Sequence, residues 1–110
     1  MIIYERSGKV KPVLPVYLTT TNLTNIITFG LDGQLLSISA TNEHSGNTHI
    51  DVYLSRGGTD YLIYCGQASA NETVQFKDCY FTCLAGDIIK AQADGANRVT
   101  VSVSIAEFSS

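Results

Sequence analysis

The chain has 110 residues, 45% of them hydrophobic and only 15% charged, with a net charge of −3. That is one domain, large enough to bury roughly 65% of its unfolded surface without metal or disulfide staples. Its Lys and Arg residues total 7 and are scattered, which speaks against a nucleic-acid partner, and no apolar run approaches the ~20 residues of a helical membrane span.

The charged fraction falls under the globular average of about 25%. Thr, Ser and Asn take its place, which favours strands with uncharged outer faces. MIIYERSGKVK has no basic stretch leading into an apolar one, so no signal peptide is expected. The expected place of synthesis is a cytoplasm.

In chain order, residues 1–15 read as an N-terminal arm, and 16–110 as a single domain. Met1 to Lys11 is an arm or a short irregular strand, and Pro12 and Pro15 confine Val13-Leu14 to an edge or a linker. Short strands are expected over Val16–Thr21 and Leu23–Phe29. Gly30-Leu-Asp-Gly33 is a turn whose two glycines can take positive φ. Gln34–Asn42 alternates, with Leu36, Ile38 and Ala40 inward. After the polar loop Glu43–Asn47, Thr48–Ser55 puts Ile50, Val52 and Leu54 inward and His49, Asp51 and Tyr53 outward.

Arg56-Gly-Gly-Thr-Asp60 fits a hairpin turn. Tyr61–Cys65 is apolar on both faces, with Tyr61 and Tyr64 expected on opposite ones, and Gly66–Asn71 is a small-residue connection. Thr73–Phe76, Cys79–Leu84 and Ile88–Ala93 are further strands, separated by turns at Lys77-Asp78 and Ala85-Gly-Asp87. Asp94-Gly-Ala-Asn97 reads as a hairpin leading to a last strand that ends near Phe108, with Val99, Val101, Val103 and Ile105 on its inner phase. About eight or nine short strands at spacings of roughly 8–12 residues, with no helical stripe, predict an all-β antiparallel sandwich, jelly-roll-like.

No constellation of residues points to catalysis. Cys65, Cys79 and Cys83 are odd in number and set in apolar strands, which predicts reduced, buried thiols without metal. His49 and Asp51 share a face, but no third ligand accompanies them. No serine sits in a nucleophile elbow. Ala85-Gly86-Asp87 fits a turn with local Asp hydrogen bonding better than a calcium loop. The tyrosines stand out more. Tyr53 and Tyr64 are candidate interface residues, a role in which Tyr is enriched. Sugar stacking is the alternative use of such a platform, without the tryptophan that usually supplies it.

The order LLSISATNEHSGNTHIDVYL, YLIYCGQASANETVQF and FTCLAGDIIKAQADGANRVTVSVSIAE resembles a family of small tailed-phage virion β-sandwich proteins. The matching pieces are Asn42, Val52-Tyr53-Leu54, Tyr61, Glu72-Thr73-Val74, Leu84-Ala85-Gly86-Asp87, Ile89, Ala91, Ala93 and Glu107, within roughly residues 20–108. The resemblance implies a non-enzymatic structural component of a phage particle: a capsid decoration or cement protein, or one associated with tail, neck or fibre. It implies no catalytic residue and no cofactor, major capsid or tail proteins as partners, and a place in the virion after synthesis in the bacterial host.

A homo-oligomer is expected, with a trimer favoured by the resemblance. Thr100, Ser102 and Ser104 put no charge on the outer phase of the last strand, so something should cover that strand. Ile2, Ile3 and Tyr4 of the arm have no place in the sandwich pattern and are candidate contacts to a neighbour. A carbohydrate-binding or host-adhesion module is the alternative reading.

Overall fold

A computed structural model describes residues 8–76 and 81–108. Ten strands run through them: β1 Gly8–Lys11, β2 Val16–Tyr17, β3 Thr24–Thr28, β4 Gly33–Asn42, β5 Thr48–Arg56, β6 Thr59–Ala68, β7 Thr73–Phe76, β8 Phe81–Cys83, β9 Ile88–Ala93 and β10 Val99–Phe108. All pair antiparallel, in a six-stranded and a four-stranded sheet.

β1 and β2 follow one another along the same side of β10, and β7 and β8 along the same side of β4. With these merged, the six-stranded sheet runs β1/β2, β10, β4, β7/β8, and the other runs β3, β9, β5, β6. The last strand thus lies beside the first, and with the split strands merged the chain changes sheet at every connection except the β5–β6 hairpin. This is a jelly roll.

Alternation along the strands makes the core. Val99, Val101, Val103 and Ile105 of β10 are buried, opposite Asn42, Ala40, Ile38 and Leu35 of β4. Ile50, Val52 and Leu54 of β5 and Ile89, Ala91 and Ala93 of β9 meet them from the other sheet. The sequence phase holds except where a bulge resets it. At Ser104/Ile105 the register jumps from Ser37 to Leu35, so Leu35 rather than Leu36 enters the core. At Val52/Tyr53 it jumps from Tyr64 to Leu62. Tyr61 and Tyr64 therefore oppose the inward Leu54 and Val52 and share a face, contrary to strict alternation.

Of the two readings of the start, arm or short irregular strand, residues 8–11 take the second and pair with β10 from Gly8↔Phe108 to Lys11↔Ile105, which puts that part of the 1–15 segment in the sheet. Two other expectations change. Asp94–Asn97 is not a hairpin turn, because β9 and β10 belong to different sheets; it carries the chain across the sandwich, with Asn97 at φ 59. Neither Gly30 nor Gly33 has positive φ. Gly33 is required by space instead: a Cβ there would run into the Ala106 carbonyl and the Phe29 ring.

The Arg56–Thr59 turn does join a hairpin. Arg56 pairs with Thr59, and Gly57 and Gly58 lie at φ 62 and 83, as a two-residue primed turn demands.

Candidate interaction surfaces

The outer face of the six-stranded sheet is built by the phase that alternation turns away from the core. β10 contributes Thr100, Ser102 and Ser104, and β4 sets Thr41, Ser39 and Ser37 directly opposite them. β7 extends the rows with Thr73 beside Thr41 and Gln75 beside Ser39, and β2 adds Tyr17 beside Thr100. Further along, Ala106 pairs with Gln34, which pairs with Thr82. None of these positions carries a charge. The hydroxyls partly satisfy one another, as Thr41 Oγ1 and Thr73 Oγ1 do at 2.9 Å. Tyr17 is 43% exposed.

Thr100, Ser102 and Ser104, singled out from the sequence, thus lie half-buried in the middle of this face. The reason given for covering them needs correction. β10 is not an edge, since β4 flanks it on one side and β1 and β2 on the other. What lacks charge is a face four strands wide, of which the alternation Ser37-x-Ser39-x-Thr41 supplies the second row.

The second surface lies at the edge of the four-stranded sheet. β6 is its last strand and pairs with β5. Tyr61 and Leu62 are 53% and 52% exposed, one on each face of the strand. Tyr53 is half-buried on the outer face, between Leu62 of β6 and Lys90 of β9. Tyr64 does not reach outward. It packs on the inner side against Phe76 and Phe81, with ring centroids 5.1 and 6.1 Å away. Ile2, Ile3 and Tyr4 lie outside the described residues, as do Cys79 and Tyr80.

Titratable side chains are spent on joints between elements. Glu107, 6% exposed, accepts from the backbone N–H of Gly30 at 2.7 Å and from Lys11 Nζ at 3.0 Å, tying β1 and the 30–33 turn to β10. The Lys11 hydrogen bond, then the Gly30 and Leu31 N–H groups, holds its carboxyl below the usual range despite burial.

Asp87 accepts from Arg56 Nε and Nη2, the latter at 2.6 Å, and from the Leu84 N–H at 2.8 Å. The Arg56 bond, ahead of the Leu84 bond, lowers its pKa. The Ala85–Asp87 segment is thus the local Asp turn expected of it, with Gly86 at φ 93. Lys90 likewise lowers Asp60, and His49 Nε2 lies 2.9 Å from Asp51 Oδ1.

The thiols divide. Cys83 is buried, and burial pushes it up to about 11. Cys65, expected in the core, is exposed, because its register with Asp51 puts it on the outer phase. Among the described residues no three His, Cys, Asp or Glu side chains are grouped to hold a metal ion. Compared with known proteins, the chain matches no family model and no curated sequence.

Proposed function

We propose that this protein is a non-enzymatic structural module that assembles with itself and docks on a larger particle. The setting is the virion of a tailed phage, as the family resemblance implies, with a capsid or tail protein as the docking partner. The observation that carries this reading is the charge-free outer face of the six-stranded sheet. A soluble surface normally mixes in charged residues, which make up about a quarter of an average domain. A field of Ser, Thr and Gln, with the half-exposed Tyr17 and the exposed Val10 beside Ala106, carries no charge that assembly would have to strip of water. It is cheap to cover and hydrogen-bonds readily to an equivalent neighbour. A specific contact there buries on the order of 800 Å² per partner. Three copies is the expected number, from the resemblance.

Light scattering and native mass spectrometry at micromolar concentration test it. The unaltered chain gives a mass that is a multiple of three chains, and in Ser102→Lys with Ser39→Lys, which still folds, that three-fold multiple is lost. A species of 11.9 kDa at every concentration, or an oligomer indifferent to both lysines, overturns the reading.

The second reading, a carbohydrate-binding module, draws on Tyr17, which places an aromatic ring beside Thr100 in a row of hydroxyls. Saturable glycan-induced NMR shifts confined to Tyr17 and its row would favour it over assembly.

A further inference from the structure

The two sheets have four edges, and three are protected against pairing with another chain. On the β1/β2 edge stand Lys9 and Lys11, followed by Pro12 and Pro15 between β1 and β2. The opposite edge of that sheet is split into β7 and β8, of 4 and 3 residues. In the four-stranded sheet, β3 is 5 residues long and bulged between Asn25 and Ile27. Lysine, proline, shortness and bulging are the usual devices by which edges avoid association. β6 is different. It is 10 residues long, and from Tyr61 to Ala68 it carries no charge and no proline. A bulge at Ile63 is the one such device it has, and it leaves Tyr64 to Ala68 as a regular uncharged run; Thr59 to Leu62 are exposed.

We infer that the β6 edge is a second assembly contact, at which two copies of this chain pair β6 to β6, antiparallel about a two-fold axis. The inference rests on the self-assembly reading and adds to it a contact separate from the hydroxyl face.

Charge selects the occupant and its direction. Asp60 is the one charged residue of β6, and Lys90 Nζ holds it at 3.1 Å. A parallel, in-register mate sets the two Asp60 side by side. An antiparallel dyad anywhere from Leu62 to Cys65 keeps them at least about 13 Å apart, beyond the screening length at physiological salt.

The outer face also matches itself. Tyr53 and Leu62 form an apolar patch running to the β6 edge, with Cys65 further along the strand. A two-fold mate brings the same patch to the same edge, so the strip continues across the axis and closes upon itself. Main-chain hydrogen bonds supply the affinity, and the half-exposed Tyr61 and Leu62 cover the joint on its two faces.

The test compares the unaltered chain with Leu62→Lys, Cys65→Lys and Ser102→Lys. It reads mass by native mass spectrometry and amide exchange along β6 by hydrogen–deuterium mass spectrometry. Leu62 and Cys65 are exposed, and melting curves check that each variant folds. The expected result is a fall in mass and about a tenfold faster exchange over residues 60–67 in Leu62→Lys and Cys65→Lys, and for Ser102→Lys a fall in mass with β6 exchange unchanged. Unchanged mass and β6 exchange in Leu62→Lys and Cys65→Lys overturn the inference. If Ser102→Lys alone then lowers the mass, the assembly reading survives without it. If mass falls only in the two β6 variants, the edge contact stands and the hydroxyl face is not the interface.

Discussion

Asn42 Nδ2 donates to the Ala68 carbonyl at 3.2 Å, so a side chain of the six-stranded sheet secures the end of a strand of the other. Asn42 is fully buried. Its amide also donates to the carbonyls of Gly46 and Ser69, and its Oδ1 accepts from the His44 N–H and the Thr48 hydroxyl. No apolar residue can reproduce that set.

Asn42→Asp keeps the shape but turns a carboxylate oxygen toward three carbonyls. An uncompensated buried charge of this kind costs about 3–5 kcal/mol. Urea denaturation followed by circular dichroism is expected to show that loss, partly recovered below pH 5 where the carboxyl is protonated. Equal urea midpoints for the two proteins at pH 7 would rule out the bridging role.

Val101 sits at the centre of the core, fully buried opposite Ala40. Val101→Asp places a charge where no partner is within the lattice of Val, Ile and Leu side chains, and several kcal/mol, or failure to fold, is expected. Ser102→Asp, one position along and on the outer phase, should cost far less, no more than the loss of the assembly contact. The pair of melts checks the strand's phase directly.

Acid stability follows from Asp87 and Glu107. Both have folded pKa values below those of a free carboxylate, for the hydrogen-bonding reasons given above. A depressed pKa contributes stability that is fully present above the unfolded value of about 4 and is lost as pH falls through the folded value. Stability should therefore be level from pH 7 to 5 and fall below about 4. Arg56→Met removes the cation from Asp87, raises that carboxyl, and shifts the acid-unfolding midpoint to higher pH. Fluorescence-monitored acid titration of the two proteins reads the shift, and coincident curves would refute it.

Thiol chemistry separates the described cysteines. In a Cys79→Ser background, Cys65 should react with a thiol reagent in the folded protein, whereas Cys83 should react only on unfolding, because it is buried and protonated at neutral pH. Mass-resolved labelling counts the adducts, and a second fast adduct would contradict the burial of Cys83.

Much of this was written locally. The alternation of Val99 to Ile105 specified a half-buried strand, and Gly57-Gly58 specified a two-residue turn, because each needs only neighbours in sequence to be read. What depends on the strand across the way was not legible. The extra residues Leu36 and Ile63 fit either phase until Ser104 and Val52 fix their register. Asp94–Asn97 has the chemistry of a turn, and nothing in those residues tells a hairpin from a crossing between sheets. The candidate surfaces suffered most. Thr100, Ser102 and Ser104 were visible as an uncharged phase, yet the face exists only because β4 lies beside β10 with Ser37, Ser39 and Thr41 in step. Cys65 and Tyr64 changed sides for the same reason.

The position of β10 has a consequence for synthesis. The six-stranded sheet has β10 at its heart, holding β1 and β2 to β4, yet β10 is the last of these strands to be made. While a ribosome is still translating residues 99–108, β1, β2 and β4 have no common neighbour, and the inner faces of both sheets stay wet. Counted from the end of β4 at Asn42 to Phe108, at roughly 5–20 residues per second, the growing chain spends several seconds in that condition. Folding then waits on long-range closure of β1 and β2 onto β10, which makes it slow. Chaperone occupancy along the nascent chain should build up to residue 98 and collapse once Phe108 has emerged from the ribosome.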